Sequence, residues 1–494
     1  MRYKNVWARA YIVAVSSAAI VFLVPALFFY GSDVISFLKA PFQPRPRNII
    51  MISVDTLRAD HLGAYGYSQD TSPNLDRFAE NAFVFEQAIS QAKFTFSSHA
   101  SLLTSQYPLS TGVVNLESQL PQSKTTLPEV LQQNGYATAA FVGAGEMSFS
   151  FGLAQGFETY VDQRGTSLST TIPLAEEWLN EHKDKKFFLY VQGFDVHPPY
   201  EEKANKQFQN VFDLDYAGVL SDHARFSFGL IPKLAPDAKV LLPGGIAYRS
   251  PYAAGNASAS KIPILGNIRK IDGKPFLILE NETIPLTQRD LDHIAAHYDD
   301  GVLAADKLIE GFLEKLKRLG LYDNSVIIVF SGHGEELGDA MARSVQNTDL
   351  YTRGALGEEL VHVPLLIQYP GLAPSRVSPQ VQLIDLFPTI LDFLNIPLAD
   401  SVREGIWGQS FFPLMLGTAN APVNAHTFGG GNREIFVRST EWKLVTNDRV
   451  SFNLYDLRND PAESVNVAEQ YPEVASVLQN ELSEWYNRLT SNGS

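Results

Sequence analysis

The chain has 494 residues, more than one ordinary core uses and compatible with a large domain plus a smaller appendage. With 45% hydrophobic and 11% aromatic residues it has enough apolar surface to offset chain entropy, which excludes global disorder. The balance of 39 basic against 54 acidic side chains, a net charge of -15, excludes a body-wide nucleic-acid binder, and the absence of cysteine excludes disulfides, thiolate metal sites, thiol nucleophiles and any group made by oxidising a cysteine.

Residues 10–30 contain no ionisable side chain except tyrosine. At ~1.5 Å rise per residue such a stretch crosses a hydrocarbon core of about 30 Å, so it is expected to be a transmembrane helix. Arg2, Lys4 and Arg9 precede it and the first acidic residue is Asp33, which places residues 1–9 in the cytoplasm and the body in the periplasm or outside the cell, on a single-pass anchor. A cleaved signal peptide is the alternative, and it too exports the body. Residues 31–47, with Pro41, Pro44 and Pro46 beside Arg45 and Arg47, suit a stiff extended linker.

Residues 48–396 are expected to form the main domain. Short apolar runs at 48–54, 137–142, 187–191, 326–330 and 363–368 alternate with helical patterns, the signature of a buried, mainly parallel sheet in an α/β fold. Helices are predicted over 126–134, 290–319 and 382–394. The second of these carries Ile309, Phe312, Leu313 and Leu316 on one face. Residues 200–286 are weakly patterned, an irregular insertion that serves as a lid or a surface elaboration. A C-terminal α+β subdomain over 397–494 has two short strands within 434–445 and a terminal helix over 472–489.

In an open α/β sheet the side chains just beyond the strand carboxyl ends share a crevice. Asp55 follows the first run, Asp195 and His197 follow the third, and His333 follows the run ending at Phe330. Asp55 with His333 would suit a divalent metal, and His197 could steady an oxyanion or act as an acid. Any one of these, taken alone, could equally be a turn former. Thr95 precedes a serine-rich stretch with a helix-like apolar face. Its hydroxyl would sit at a helix N-terminus, placed to attack phosphate or sulfate, or simply to cap the helix.

The strings VDTLRADHLGAYGY (54–67), TSPNLDRFA (71–79), TFSSHASLLT (95–104), FDVHPPY (194–200), FSGHGEELGD (330–339), HVPLLI (362–367), DLFPTILD (385–392) and LYDLRNDPAE (454–463) resemble, in this order, the sulfatase family of the alkaline-phosphatase superfamily. The resemblance runs from residue 48 to the C-terminus. It implies an alkaline-phosphatase-like central, mostly parallel sheet sandwiched by helices, and one divalent ion, calcium, magnesium, manganese or zinc, holding a sulfate or phosphate ester against a nucleophile. Asp55 and His333 match metal ligands, Thr95 the nucleophile and His197 a substrate-contacting histidine, with His99, Asp195 and Glu335 in support.

Four departures stand out. Thr95 occupies the formylglycine position, as in phosphotransferase and phosphodiesterase branches of the superfamily. Ser97 and His99 replace the proline and arginine of the sulfatase signature. Gly332 stands where the family has an aspartate before the histidine, and Thr56 where a second acid often follows the first. Glu335, Glu336 or Asp300 would have to make up the missing ligands. The expectation is a membrane-anchored, extracytoplasmic, metal-dependent sulfuric or phosphoric ester hydrolase or phosphotransferase, acting through Thr95 on a glycan or lipid. The alternative is a degenerate sulfatase-like protein that binds without chemistry.

Overall fold

The central strand of the fold is β1, Asn48–Val54, an unbroken NIIMISV run buried at every position. Such a run suits a strand covered on both faces. The computed structural model describes residues 46–115, 117–198, 211–220, 267–271, 274–278, 283–338, 356–432 and 434–491. Residues 46–494 form a single unit. The predicted membrane segment and most of 200–266 lie outside the described residues. No helix among those described is long and apolar enough to cross a membrane.

Seven strands join β1 in one sheet: β2 (Phe83–Phe85), β3 (Ala137–Val142), β4 (Thr159–Asp162), β5 (Phe187–Gly193), β6 (Ser325–Phe330), β7 (Leu365–Gln368) and β8 (Arg376–Val377), in the order β8-β2-β7-β6-β1-β5-β3-β4. The run from β6 to β4 is parallel, while β7 is antiparallel to both β6 and β2. The sheet is thus mostly parallel, as the apolar runs imply.

Alternation along β1 divides the core. Ile50, Ile52 and Val54 face a cluster that includes Trp178 and Leu179 of α2 (Leu168–His182) and Ile309, Phe312 and Leu316 of α3 (Gln288–Arg318). Ile49 and Met51 face the cluster built on Ala100, Leu102 and Leu103 of α1 (Thr95–Thr104) and Phe387, Ile390 and Leu391 of α4 (Leu386–Leu394). Helices therefore cover both faces. Part of the insertion is more regular than its composition implies, because 267–271, 274–278 and 283–285 form an antiparallel three-stranded sheet.

The C-terminal subdomain is a four-stranded antiparallel sheet of β9 (Thr427–Gly430), β10 (Ile435–Arg438), β11 (Trp442–Thr446) and β12 (Phe452–Asp456), covered by α5 (Pro472–Ser491). Leu478, Leu482 and Trp485 of α5 share one core with Val437 and Leu444 of the sheet and with Tyr107 and Ile384 of the main domain. A buried ion cluster ties the same two parts. The fully buried Lys443 ammonium lies 3.1 Å from Glu358 and 3.0 Å from Glu463, and Arg438 donates to Glu358 at 2.9 Å.

Burial pushes the Glu358 carboxyl up, but the charges of Arg438 and Lys443 outweigh it and hold the group well below the usual carboxylate range. Its stabilising contribution is present above the ordinary glutamate pKa and is lost as pH falls through the folded value. Lys443→Met would strand buried carboxylates and is expected to cost about 3–5 kcal/mol, read as a lowered midpoint in urea unfolding. The deficit should shrink when unfolding is repeated at acid pH.

Candidate active site

Residue pairing across the central sheet builds the site. Ser53 of β1 is opposite Phe330 of β6, and Val54 is opposite Gly193 of β5. The chain therefore leaves all three strands at one level, and Asp55 N extends the ladder by donating to Gly193 O at 3.0 Å. Asp55 is fully buried. The next residue, Thr56, has φ +59°, a left-handed conformation unusual for a β-branched residue. Its carbonyl accepts the Tyr298 hydroxyl of α3 at 2.8 Å, and the same hydroxyl accepts Arg58 N at 2.8 Å, pinning the turn.

Thr95, the first residue of α1, brings its hydroxyl to this rim. Oγ1 lies 3.2 Å from each Asp55 carboxylate oxygen and 3.2 Å from His333 Nε2, while His333 Nε2 and Asp55 Oδ1 are 3.9 Å apart. His333 Nδ1 donates to Gly334 O at 2.7 Å, so Nε2 of the neutral ring is an acceptor aimed at the threonine. Burial pushes the His333 pKa down, which favours that neutral ring. Asp55, Thr95 and His333, drawn from three distant segments, thus form one hydrogen-bonded group.

Three other predicted residues have different places. His99 is fully buried beneath the group, its Nδ1 donating to Thr95 O at 2.7 Å and its Nε2 3.3 Å from Ser53 Oγ. It supports Thr95 from below and does not face a substrate. Burial lowers its pKa to about 4, so it too is neutral. Asp195 accepts Leu168 N at 3.0 Å and so caps α2. His197 stacks on Phe194 with centroids 3.8 Å apart, and its Nδ1 pairs with Pro198 O at 2.7 Å. Of the three, His99 is the one whose described contacts include Thr95.

Glu146, which follows β3, was not singled out by the sequence reading. Its Oε2 accepts Phe96 N at 3.4 Å, one residue beyond Thr95. Burial first, then the negative charge of Asp55, push its carboxyl up. Glu335 is buried, its Oε2 has no hydrogen-bond partner, and burial pushes its pKa well above the ordinary value. A lone acid in a single 3-10 turn, Gly145–Met147, carries no pattern, so only proximity reveals Glu146.

The donor set does not fit the divalent ion that the resemblance implies. Among the described residues no three His, Asp or Glu side chains converge to hold a metal, whereas a hard dication gathers about six oxygens. The Thr95 hydroxyl fills the space between Asp55 and His333. Thr56 offers only a buried hydroxyl without a hydrogen-bond partner. A Cβ at Gly332 would lie 2.4 Å from His99 Cε1, so that position has no room for a ligand. Of the proposed substitutes, Asp300 accepts Val211 N at 2.8 Å. Asp55 and His333 instead contact the Thr95 hydroxyl directly.

Comparison with known proteins agrees with this architecture. The sulfatase family model matches residues 47–396, and that of the N-sulphoglucosamine sulphohydrolase C-terminal region matches 348–488. The chain belongs to the sulfatase family. That places it among the sulfatase-like hydrolases of the alkaline-phosphatase superfamily. It is 24% identical to an ulvan-active sulfatase of Formosa agariphila over 476 residues, covering 92% of this chain and 83% of that protein. It is 30% identical to arylsulfatase K of Bos taurus over 224 residues, 42% of this chain and 39% of that protein.

Two solved structures share the fold. One, in complex with its substrate D-glucosamine-2-N,6-O-disulfate, superposes with a TM-score of 0.63 at 20% identity, covering 91% of this chain and 99% of that one. The other, a phosphonate monoester hydrolase of Agrobacterium radiobacter, gives 0.62 at 19% identity, covering 90% and 96%.

An anion brought up to Thr95 would meet the charges of Asp55 and Glu146 together. Glu146→Gln, which removes one of these charges, is expected to tighten the binding of inorganic sulfate or phosphate about tenfold at pH 8, measured by isothermal titration.

Proposed function

We propose that this sulfatase-family chain cleaves a sulfuric or phosphoric ester with Thr95 as nucleophile. The observation that carries the reading is the Thr95 hydroxyl held 3.2 Å from the acceptor nitrogen of His333, a nucleophile and base within reach of one another. Asp55 accepts the same hydroxyl proton from its other side, and rotation of the hydroxyl turns that proton to His333 for the transfer. In the first step Thr95 Oγ1 bonds to the sulfur or phosphorus, its proton passes to His333 Nε2, and the bond to the alcohol oxygen breaks. The His333 imidazolium returns that proton to the leaving oxygen and is neutral again, with His197, beyond the end of β5, steadying the leaving group. Water, deprotonated by His333, then releases the group from Thr95 and restores the enzyme.

A glycan-borne ester is supported by the likeness to an ulvan-active sulfatase and to a structure holding a disulfated glucosamine. Residues 10–30 support a membrane-anchored, extracytoplasmic protein. A second reading, a binding protein for a glycan, lipid headgroup or protein partner without turnover, is favoured by the crowding at Gly332 and by the acids around Thr95.

Assays of the full chain on aryl sulfates, sulfated oligosaccharides and phosphate mono- and diesters decide between them. Thr95→Ala is expected to abolish turnover, and His333→Gln to lower kcat about 10²–10⁴-fold. A rate unchanged in Thr95→Ala removes Thr95 from the mechanism. Silence of the wild type across the whole panel leaves the binding reading.

A further inference from the structure

We propose that His99 and Gly332 are a sterically exchanged pair: the imidazole occupies the space that a carboxylate at 332 would need, and the pocket is metal-free because of it. The inference rests on the Asp55–Thr95–His333 pocket proposed above as the reaction centre, and is independent of which ester, if any, is turned over.

The contact is close and neither side can yield easily. An added Cβ at Gly332 would meet His99 Cε1 at 2.4 Å, Ser98 Oγ at 2.8 Å and His99 Nδ1 at 3.0 Å. The ring is held at both nitrogens, by Thr95 O at 2.7 Å and Ser53 Oγ at 3.3 Å. It lies edge-on to Tyr190 and against Phe330, with centroids 6.1 and 6.3 Å away. Gly332 is tethered as firmly, because its carbonyl accepts the hydroxyls of Ser90 and Ser98, each at 2.6 Å. Any side chain at 332 must therefore displace a buried, doubly bonded ring or pull the 331–334 turn off two serines.

The exchange also removes charge. Where a carboxylate would add a hard oxygen donor, His99 supplies a neutral ring with both nitrogens already engaged. The same ring holds the carbonyl of Thr95, so it is a positioning residue for the hydroxyl that stands between Asp55 and His333. One side chain thus blocks the ligand position and props up the group that replaces it.

The test compares wild type, Gly332→Asp, Gly332→Ala, His99→Ala and the His99→Ala/Gly332→Asp double variant as full chains. Each is equilibrated with calcium, magnesium or manganese, desalted, and assayed for metal content and thermal midpoint. Wild type is expected to retain no stoichiometric metal and to show no midpoint shift with any of the three ions. Gly332→Ala, the milder probe should Gly332→Asp fail to fold, is expected to lower the midpoint by about 5 °C. In the double variant the aspartate should cost far less than in the wild-type background, the signature of a coupled pair.

A wild type holding about one ion per chain, a Gly332→Ala midpoint equal to wild type, or strictly additive costs in the double variant would each overturn the proposal. Turnover on the ester panel is recorded separately. A metal-free wild type that hydrolyses nothing refutes the reaction and leaves the exchanged pair standing, whereas a metal-loaded wild type refutes the pair alone.

Discussion

The constraint on which the structure depends is the parallel pairing of β1 with strands on both of its edges. Because β5 and β6 run beside it in the same direction, the residues that follow Val54, Gly193 and Phe330 emerge together. Burial of β1 on both faces fixes this register. A slip of one residue would turn Ile50 and Ile52 into the opposite core and carry Asp55 away from His333. The site is therefore a property of the sheet before it is a property of any loop.

What the sheet brings together is rich in acids, and the nearby cations are engaged elsewhere. Arg58, the buried guanidinium nearest in sequence to Asp55, is spent on Asp60 and on the carbonyl of Glu335. Lys93, two residues before Thr95, pairs with Glu434. Burial, with the charge of Asp55 added to it, pushes the carboxyls of Glu146 and Glu335 up. Threonine activated by a neighbouring imidazole is compatible with such surroundings, since proton transfer between neutral partners needs no cation to begin. The family scaffold and the local chemistry thus answer different questions, and the second is decided by individual side chains.

The parts of this fold legible in the sequence are those where local signals and burial agree. The central strands read as strands because unbroken apolar runs are what a doubly covered strand requires. The helix Leu127–Gln133 follows from Thr126 and Glu129, which form a capping box in the structure. The half-buried edge strand β4 and the helix α2, interrupted by Pro173, carry weaker patterns. At the site, Asp55, Thr95 and His333 were legible because they follow strands or open a helix. Asp195 satisfies the same description and yet caps α2, because position in the chain does not say which way a side chain turns. The role of His99 depends on an interatomic clearance between segments far apart in sequence, and no composition or periodicity records that.

The backbone at Thr56 carries one more consequence. A β-branched residue in the left-handed region stores strain that aspartate or asparagine, which visit this region far more readily, would relieve. The relaxed replacement is also an acidic or amide oxygen donor beside Asp55. Torsional relief and an added oxygen donor beside Asp55 therefore lie along the same single substitution.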